Sequence, residues 1–168
     1  MLGSATVIKA LQFAIVAHGD QKRKYTGVPY VTHTIEVAEI VANHGGSEAQ
    51  ICAALLHDTV EDTSVEIHDI LDNFGVEIAD LVAWLTDVSK PEDGNRETRK
   101  AIDRDHIAKA SSTAQFVKLA DLISNTKSIV EHDTNFARVY LKEKQKILDV
   151  MRKDVKETEL FRIASDQV

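Results

Sequence analysis

The chain has 168 residues, 43% of them hydrophobic and 28% charged, with 27 acidic against 20 basic side chains and a net charge of −7. That length suits a single domain over residues 1–168 with a real core, and the acidic balance argues against a general nucleic-acid binder while leaving room for a small anionic ligand. No run of 18 apolar residues suggests a membrane span, the apolar start "MLGSATVIKALQFAIVAHGD" has no basic n-region, and the lone Cys52 fits a reducing compartment, so a cytoplasmic protein is expected.

Apolar residues recur at helical spacing almost throughout. Ser4 is placed to cap a first helix running to about His18, with Val7, Ile8, Leu11 and Ile15 on one face. The stretch "GDQKRKYTGVPY" (19–30) has glycine, proline and no period, and reads as a loop. A second helix is expected from about His33 to Asn43, closed by "HGG". Ser47 with Gln50 resembles a capping box for a third helix reaching about Thr59. "SVEIHDILDNFG" predicts a helix closed by Gly75, and "VEIADLVAWLTDVS" another, ended by Pro91 and Gly94. A polar helix follows over about Arg96–Ala110. Ser112 or Thr113 then opens "AQFVKLADLISNTKSIVE", and the last long helix runs from about Asn135 to Lys153, with room for a short one after it. No alternating strand pattern is present. The expectation is an all-α fold of about eight helices, without internal repeats or a domain linker.

Three places put metal-ligand types into otherwise apolar helices: His33, the pair His57-Asp58, and Asp121 within "VKLADLI". Each has a plain structural explanation when taken alone. Asp121 can pair with Lys118, His33 can be a satisfied helix-start histidine, and His57-Asp58 can finish a helix. A buried carboxylate is nonetheless costly unless paired or metal-bound. Two imidazoles and two carboxylates suit a borderline divalent ion such as Mn²⁺, Fe²⁺ or Zn²⁺ better than Ca²⁺. In "LLHDTVEDT", Glu61 and Asp62 follow one turn after His57-Asp58. As plain surface acids near a helix C-terminus they would oppose the helix dipole; beside an activated water, one could act as general base. Lys22, Arg23 and Lys24 form either a solvated basic loop or a grip for a phosphate. Asp121, Asn125 and Ser128 share one helix stripe, with Lys118 a turn earlier. On that stripe the Asn is suited either to reading a ribose or base or to helix packing.

The order His, His-Asp, Asp resembles the signature of the HD superfamily of metal-dependent phosphohydrolases. More narrowly, "RKYTGVPYVTH", "AALLHDTVEDT" and "VKLADLISNT" resemble the motifs of the hydrolase domain of Rel/SpoT enzymes, over residues from about 5 to 150. The likeness is greatest to the free-standing small alarmone hydrolases, including the metazoan SpoT-homologue group. The resemblance implies an HD-domain helical bundle. It implies His33, His57, Asp58 and Asp121 as metal ligands with Mn²⁺ as the usual ion, and Glu61 and Asp62 as the catalytic acidic pair. It also implies Arg23, Lys24 and Asn125 as nucleotide contacts, and Tyr140 at the substrate pocket. Lys118 and Ser128 join the substrate-binding candidates through their stripe. The implied reaction is hydrolysis of the 3′-diphosphate of ppGpp or pppGpp, releasing pyrophosphate and GDP or GTP, without the synthetase activity of the long enzymes. Three departures bear on base recognition: His33-Thr34 stands where the family has His-Pro, "DLISN" stands where it has a more basic run, and the loop between Lys24 and Gly27 differs in length from that of the family. The alternatives are a phosphohydrolase acting on another nucleotide, such as the 2′-phosphate of NADPH, and a catalytically silent nucleotide-binding module. The expected partner is a small nucleotide, with neither nucleic acid nor membrane, and a homodimer is compatible with the sequence.

Overall fold

A computed structural model describes residues 3–168. Among them it shows eleven α-helices, one 3₁₀ turn and no strand, so the all-α expectation holds with more and shorter helices than anticipated. The chain forms two compact units, the first reaching Thr86 and the second beginning at Asp87.

The first unit contains α1 (Ala5–His18), α2 (Val31–Asn43), α3 (Glu48–Leu56), α4 (Thr59–Asp62), α5 (Ile67–Phe74) and α6 (Val76–Leu85). Ser4 caps α1 by accepting from the Val7 amide, and Ser47 and Gln50 close the capping box of α3. α3 is the hub of this unit. Ile51, Cys52, Ala53, Ala54, Leu55 and Leu56 are all buried, and α1, α2 and α6 pack around them. Val37 and Val41 of α2, Ala10 and Ala14 of α1, and Val82 of α6 are each 0% exposed. Gly46 lets α2 turn tightly into α3, because a Cβ there would lie 2.3 Å from Val41 Cγ1 and 2.9 Å from its carbonyl oxygen.

One expected helix is two. The run through Thr59 breaks at His57-Asp58, separating α3 from α4. The cause is local: His57 Nδ1 lies 2.8 Å from the Ala54 carbonyl oxygen, and Thr59 Oγ1 donates to the Leu56 carbonyl at 2.7 Å. Side chains thereby satisfy carbonyls that the next helical turn would otherwise take.

The second unit contains a 3₁₀ turn (Pro91–Asp93), α7 (Arg96–Lys109), α8 (Ser112–His132), α9 (Thr134–Asp149), α10 (Lys153–Lys156) and α11 (Glu159–Asp166). α9 is shorter than expected, and two short helices follow it. α8 packs against α9, α10 and α11. Gln115 of α8 is fully buried and joins three segments: its amide nitrogen donates to the Ile107 carbonyl at 2.9 Å, and its oxygen accepts from the Arg152 amide at 2.8 Å. Asp103 accepts from the backbone amides of Val88 and Ser89 and folds that connection onto α7.

Candidate metal centre

His33 and His57 are nearly excluded from solvent, at 1% and 2% exposure, and their side chains converge on the carboxylate of Asp58. His57 Nε2 lies 3.1 Å and His33 Nε2 3.6 Å from Asp58 Oδ2, and the two imidazole rings are 5.4 Å apart, edge to face. One ligand atom from each of the three residues lies within 4.8 Å of the others. The tautomer of His57 follows from its surroundings. Its Nδ1 meets a carbonyl oxygen, which only accepts, so the proton sits on Nδ1 and the Nε2 lone pair faces Asp58. Two imidazoles and a carboxylate, brought together by α2 and the α3–α4 break, form a donor set that fits a borderline divalent cation.

The break itself presents this set. His57 ends α3 and Asp58 precedes α4, so the two project from one turn. Glu61 and Asp62 occupy the single turn of α4 and are exposed. Desolvation of its carboxyl group, with the negative charge of Asp58 behind it, pushes the pKa of Asp62 up; Gln21, His18 and Tyr30 oppose the shift. Thr34, one of the departures from the family pattern, is fully buried and donates from Oγ1 to the Val31 carbonyl at 3.0 Å, so it completes the first turn of α2.

The loop 19–30 is ordered by its own backbone. Arg23 and Val28 are bonded at 2.9 Å, the Gly27 amide donates to Arg23, and the Tyr30 amide donates to Gln21. Within it, Arg23 lies 3.8 Å from Glu36 of α2, and the Lys24 ammonium stands 5.0 Å over the Tyr25 ring.

The remaining residues singled out from the sequence lie in the second unit. Asp121 is 5% exposed, and both its oxygens are engaged: Lys118 donates to Oδ2 at 2.9 Å and Asn125 to Oδ1 at 2.6 Å. The ion pair with Lys118 that the sequence suggested is therefore present, and the Asn lies on the same carboxylate. The Ser128 carbonyl meets His132 Nδ1 at 2.9 Å. Tyr140 of α9 has its phenol pKa pushed up by burial and by the charge of Asp121, against the pull of Lys118. Lys118 also acts on Asp87. Burial raises that carboxyl, but Lys118 and the 2.7 Å contact from Lys100 outweigh it, leaving its pKa below the ordinary value. Asp87 and Lys100 escaped the sequence reading because an exposed-looking acid after a helix end carries no periodic signal. Tyr30, which donates from its hydroxyl to Asp58 Oδ2 at 2.7 Å, also escaped it. Its one available sign was its position three residues before His33.

A family profile described as "HD domain" matches residues 10–152, running through both units. The guanosine-3′,5′-bis(diphosphate) 3′-pyrophosphohydrolase MESH1 of Xenopus tropicalis is 35% identical over 132 residues, covering 75% of this chain and 70% of that protein. MESH1 of Drosophila melanogaster is 33% identical, with the same two coverages. The probable GTP diphosphokinase RSH3 of Arabidopsis thaliana is 35% identical over 125 residues, but the match spans only 17% of its length. Among solved structures, a metazoan ortholog of SpoT described as hydrolysing ppGpp superposes with a TM-score of 0.85 at 30% identity, over 99% of this chain and 95% of that one. A Listeria monocytogenes protein superposes with a TM-score of 0.68 at 27% identity, over 84% and 96%. With its paired imidazoles and carboxylate at the HD dipeptide, and with likeness over most of its length, the chain belongs to the HD-domain family and, within it, to the MESH1 group.

Proposed function

We propose that the chain hydrolyses ppGpp and pppGpp at the 3′-diphosphate, releasing pyrophosphate and GDP or GTP. The observation that carries this is the His33–His57–Asp58 cluster, with both imidazoles buried, in a chain 35% identical to a ppGpp 3′-pyrophosphohydrolase. These three residues would hold the divalent ion. Asp121 is the fourth ligand on the strength of its motif "VKLADLISN", which implies exchanging its bond from Lys118 or Asn125 for the ion. Mn²⁺ is the first choice, with Fe²⁺ and Zn²⁺ also compatible with the donors. When bound, such an ion lowers the pKa of a water molecule and neutralises phosphoryl charge.

The protein's own groups do the rest. Glu61 takes a proton from the attacking water, Asp62 of the same acidic pair orients that water, and the proton passes on to the departing 3′-oxygen. The bond formed is water oxygen to phosphorus; the bond broken is phosphorus to the 3′-oxygen. Arg23 and Lys24 attract the phosphates. Lys118, Asn125, Ser128 and Tyr140 are the proposed contacts to the rest of the nucleotide. No helix among the described residues is long and apolar enough to cross a membrane. A cytoplasmic site of action completes the reading, and a homodimer is compatible with it.

The test is turnover of purified, metal-stripped protein with ppGpp and with NADPH, before and after Mn²⁺ is added. Pyrophosphate released from ppGpp only with metal supports the proposal. Phosphate released from NADPH alone would move the substrate to the 2′-phosphate ester, and silence toward both with metal bound would exclude both substrates.

A further inference from the structure

Tyr30 joins the loop 19–30 to α2, and its side chain is held on two sides. Its ring lies 4.9 Å from that of His18, tilted by 38°, and 5.7 Å from that of His33, edge to face. His18 is itself fixed: it is 5% exposed, and its Nδ1 is 2.9 Å from Gln21 Oε1. The backbone adds to this, since the Tyr30 amide donates to the Gln21 carbonyl at 2.8 Å and the His33 amide donates to the Tyr30 carbonyl at 2.8 Å. Tyr30 therefore has little freedom to move relative to His33.

Its hydroxyl reaches the cluster directly. It donates to Asp58 Oδ2 at 2.7 Å, the same oxygen that lies 3.1 Å from His57 Nε2 and 3.6 Å from His33 Nε2. A carboxylate on a single-bonded stem rotates freely unless something holds it. A phenol donating to Oδ2 restrains that rotation and keeps this oxygen beside the two imidazole nitrogens. Asp62 also draws on Tyr30, so the phenol stands between a ligand and one of the acidic pair.

We propose that Tyr30 is a positioning residue of the metal centre, holding Asp58 Oδ2 toward the Nε2 atoms of His33 and His57. This rests on the reading of those three residues as metal ligands. Outer hydrogen bonds of this kind contribute about 10–100-fold in metal affinity when they orient a ligand. Removing only the hydroxyl should therefore weaken ion binding while leaving the ring packing in place.

The experiment compares metal-stripped wild type, Tyr30→Phe and Tyr30→Leu, reading free Mn²⁺ by electron paramagnetic resonance and turnover as a function of Mn²⁺. The wild type is expected to bind Mn²⁺, and Tyr30→Phe to bind it about tenfold or more weakly with a cooperative melt retained. Its turnover curve should move to higher Mn²⁺ by the same factor, with the KM for nucleotide at saturating Mn²⁺ unchanged, because Tyr30 acts through Asp58 and not on the substrate. Wild-type affinity in Tyr30→Phe, with loss only in Tyr30→Leu, would reduce the residue to ring packing and overturn the proposal alone. Failure of the wild type itself to bind Mn²⁺ would overturn the metal reading, and the positioning role with it.

Discussion

At the scale of single residues, the proposed site separates holding an ion from using one. Asp58 is the atom source on which both imidazoles and Tyr30 converge, so Asp58→Ala removes a donor and leaves a phenol and two buried histidines facing a gap. The expected outcome is joint loss of Mn²⁺ binding and turnover, measured by metal content after dialysis and by pyrophosphate release. Glu61 stands one turn on, exposed, outside the buried cluster. Glu61→Ala should keep the metal content of the wild type and lose about 10²–10⁴-fold in turnover, the usual contribution of a positioned general base. Full activity in that variant would remove Glu61 from the role. The convergence of His33, His57 and Asp58 was legible in the sequence because an adjacent His-Asp pair at the end of an apolar helix is costly without a partner. Tyr30 was not, because a tyrosine after a proline is equally at home in any loop, and only its distance to Asp58 distinguishes it. The engagement of Asp121 was half legible: the helical spacing pointed to Lys118, while Asn125 on the same stripe was expected to read a nucleotide or pack between helices, and both take the carboxylate.

At the scale of elements, the relation of His33 to His57 depends on how α2 turns into α3. The Gly46 amide donates to the Val41 carbonyl at 2.9 Å, and the next helix starts from the Ser47 cap. Gly46→Ala would force a methyl group against the backbone of Val41, which cannot yield as a flexible side-chain tip would. A destabilisation of about 1–3 kcal/mol is expected from such overpacking, read as a lower melting temperature, together with weaker Mn²⁺ binding as α2 shifts on α3. An unchanged melt would show that the turn relaxes without strain. Helix existence was readable nearly everywhere, from periodicity and from caps at Ser4 and Ser47. Boundaries failed where side chains compete with the backbone. "LLHDTV" keeps a helical pattern through Val60, and only the bonds of His57 and Thr59 to the carbonyls of Ala54 and Leu56 interrupt it. The same limit made α9 too long in expectation, since nothing in its pattern marks the stop at Asp149.

At the scale of the whole molecule, two buried groups give stability an opposed dependence on pH. Lys144 of α9 is 0% exposed and meets only neutral partners, Thr126 Oγ1 at 2.9 Å and Gln167 Oε1 at 2.6 Å. Burial pushes its pKa down to about 8 from 10.5. Between those values the unfolded chain carries the proton and the folded chain does not, so stability rises with pH; below about 8 the cost of a buried ammonium is present in full. Cys52 in α3 runs the other way: burial, with Glu48 adding to it, lifts its thiol from 9.0 to about 11. The unfolded thiol ionises first, and stability falls with pH across that window. The two slopes oppose each other where they overlap, so the wild-type profile alone would conceal both. The difference between Lys144→Met and wild type isolates the lysine. At pH 7 the variant should be more stable by about 1–3 kcal/mol, because an apolar side chain of similar length carries no charge to bury. Toward pH 10.5 that advantage should close, as the wild-type lysine is neutral when folded and its two hydrogen bonds remain. Denaturant melts at steps between pH 7 and 10.5 measure it, and a gap that stays constant across the window would show that Lys144 keeps its charge in the fold.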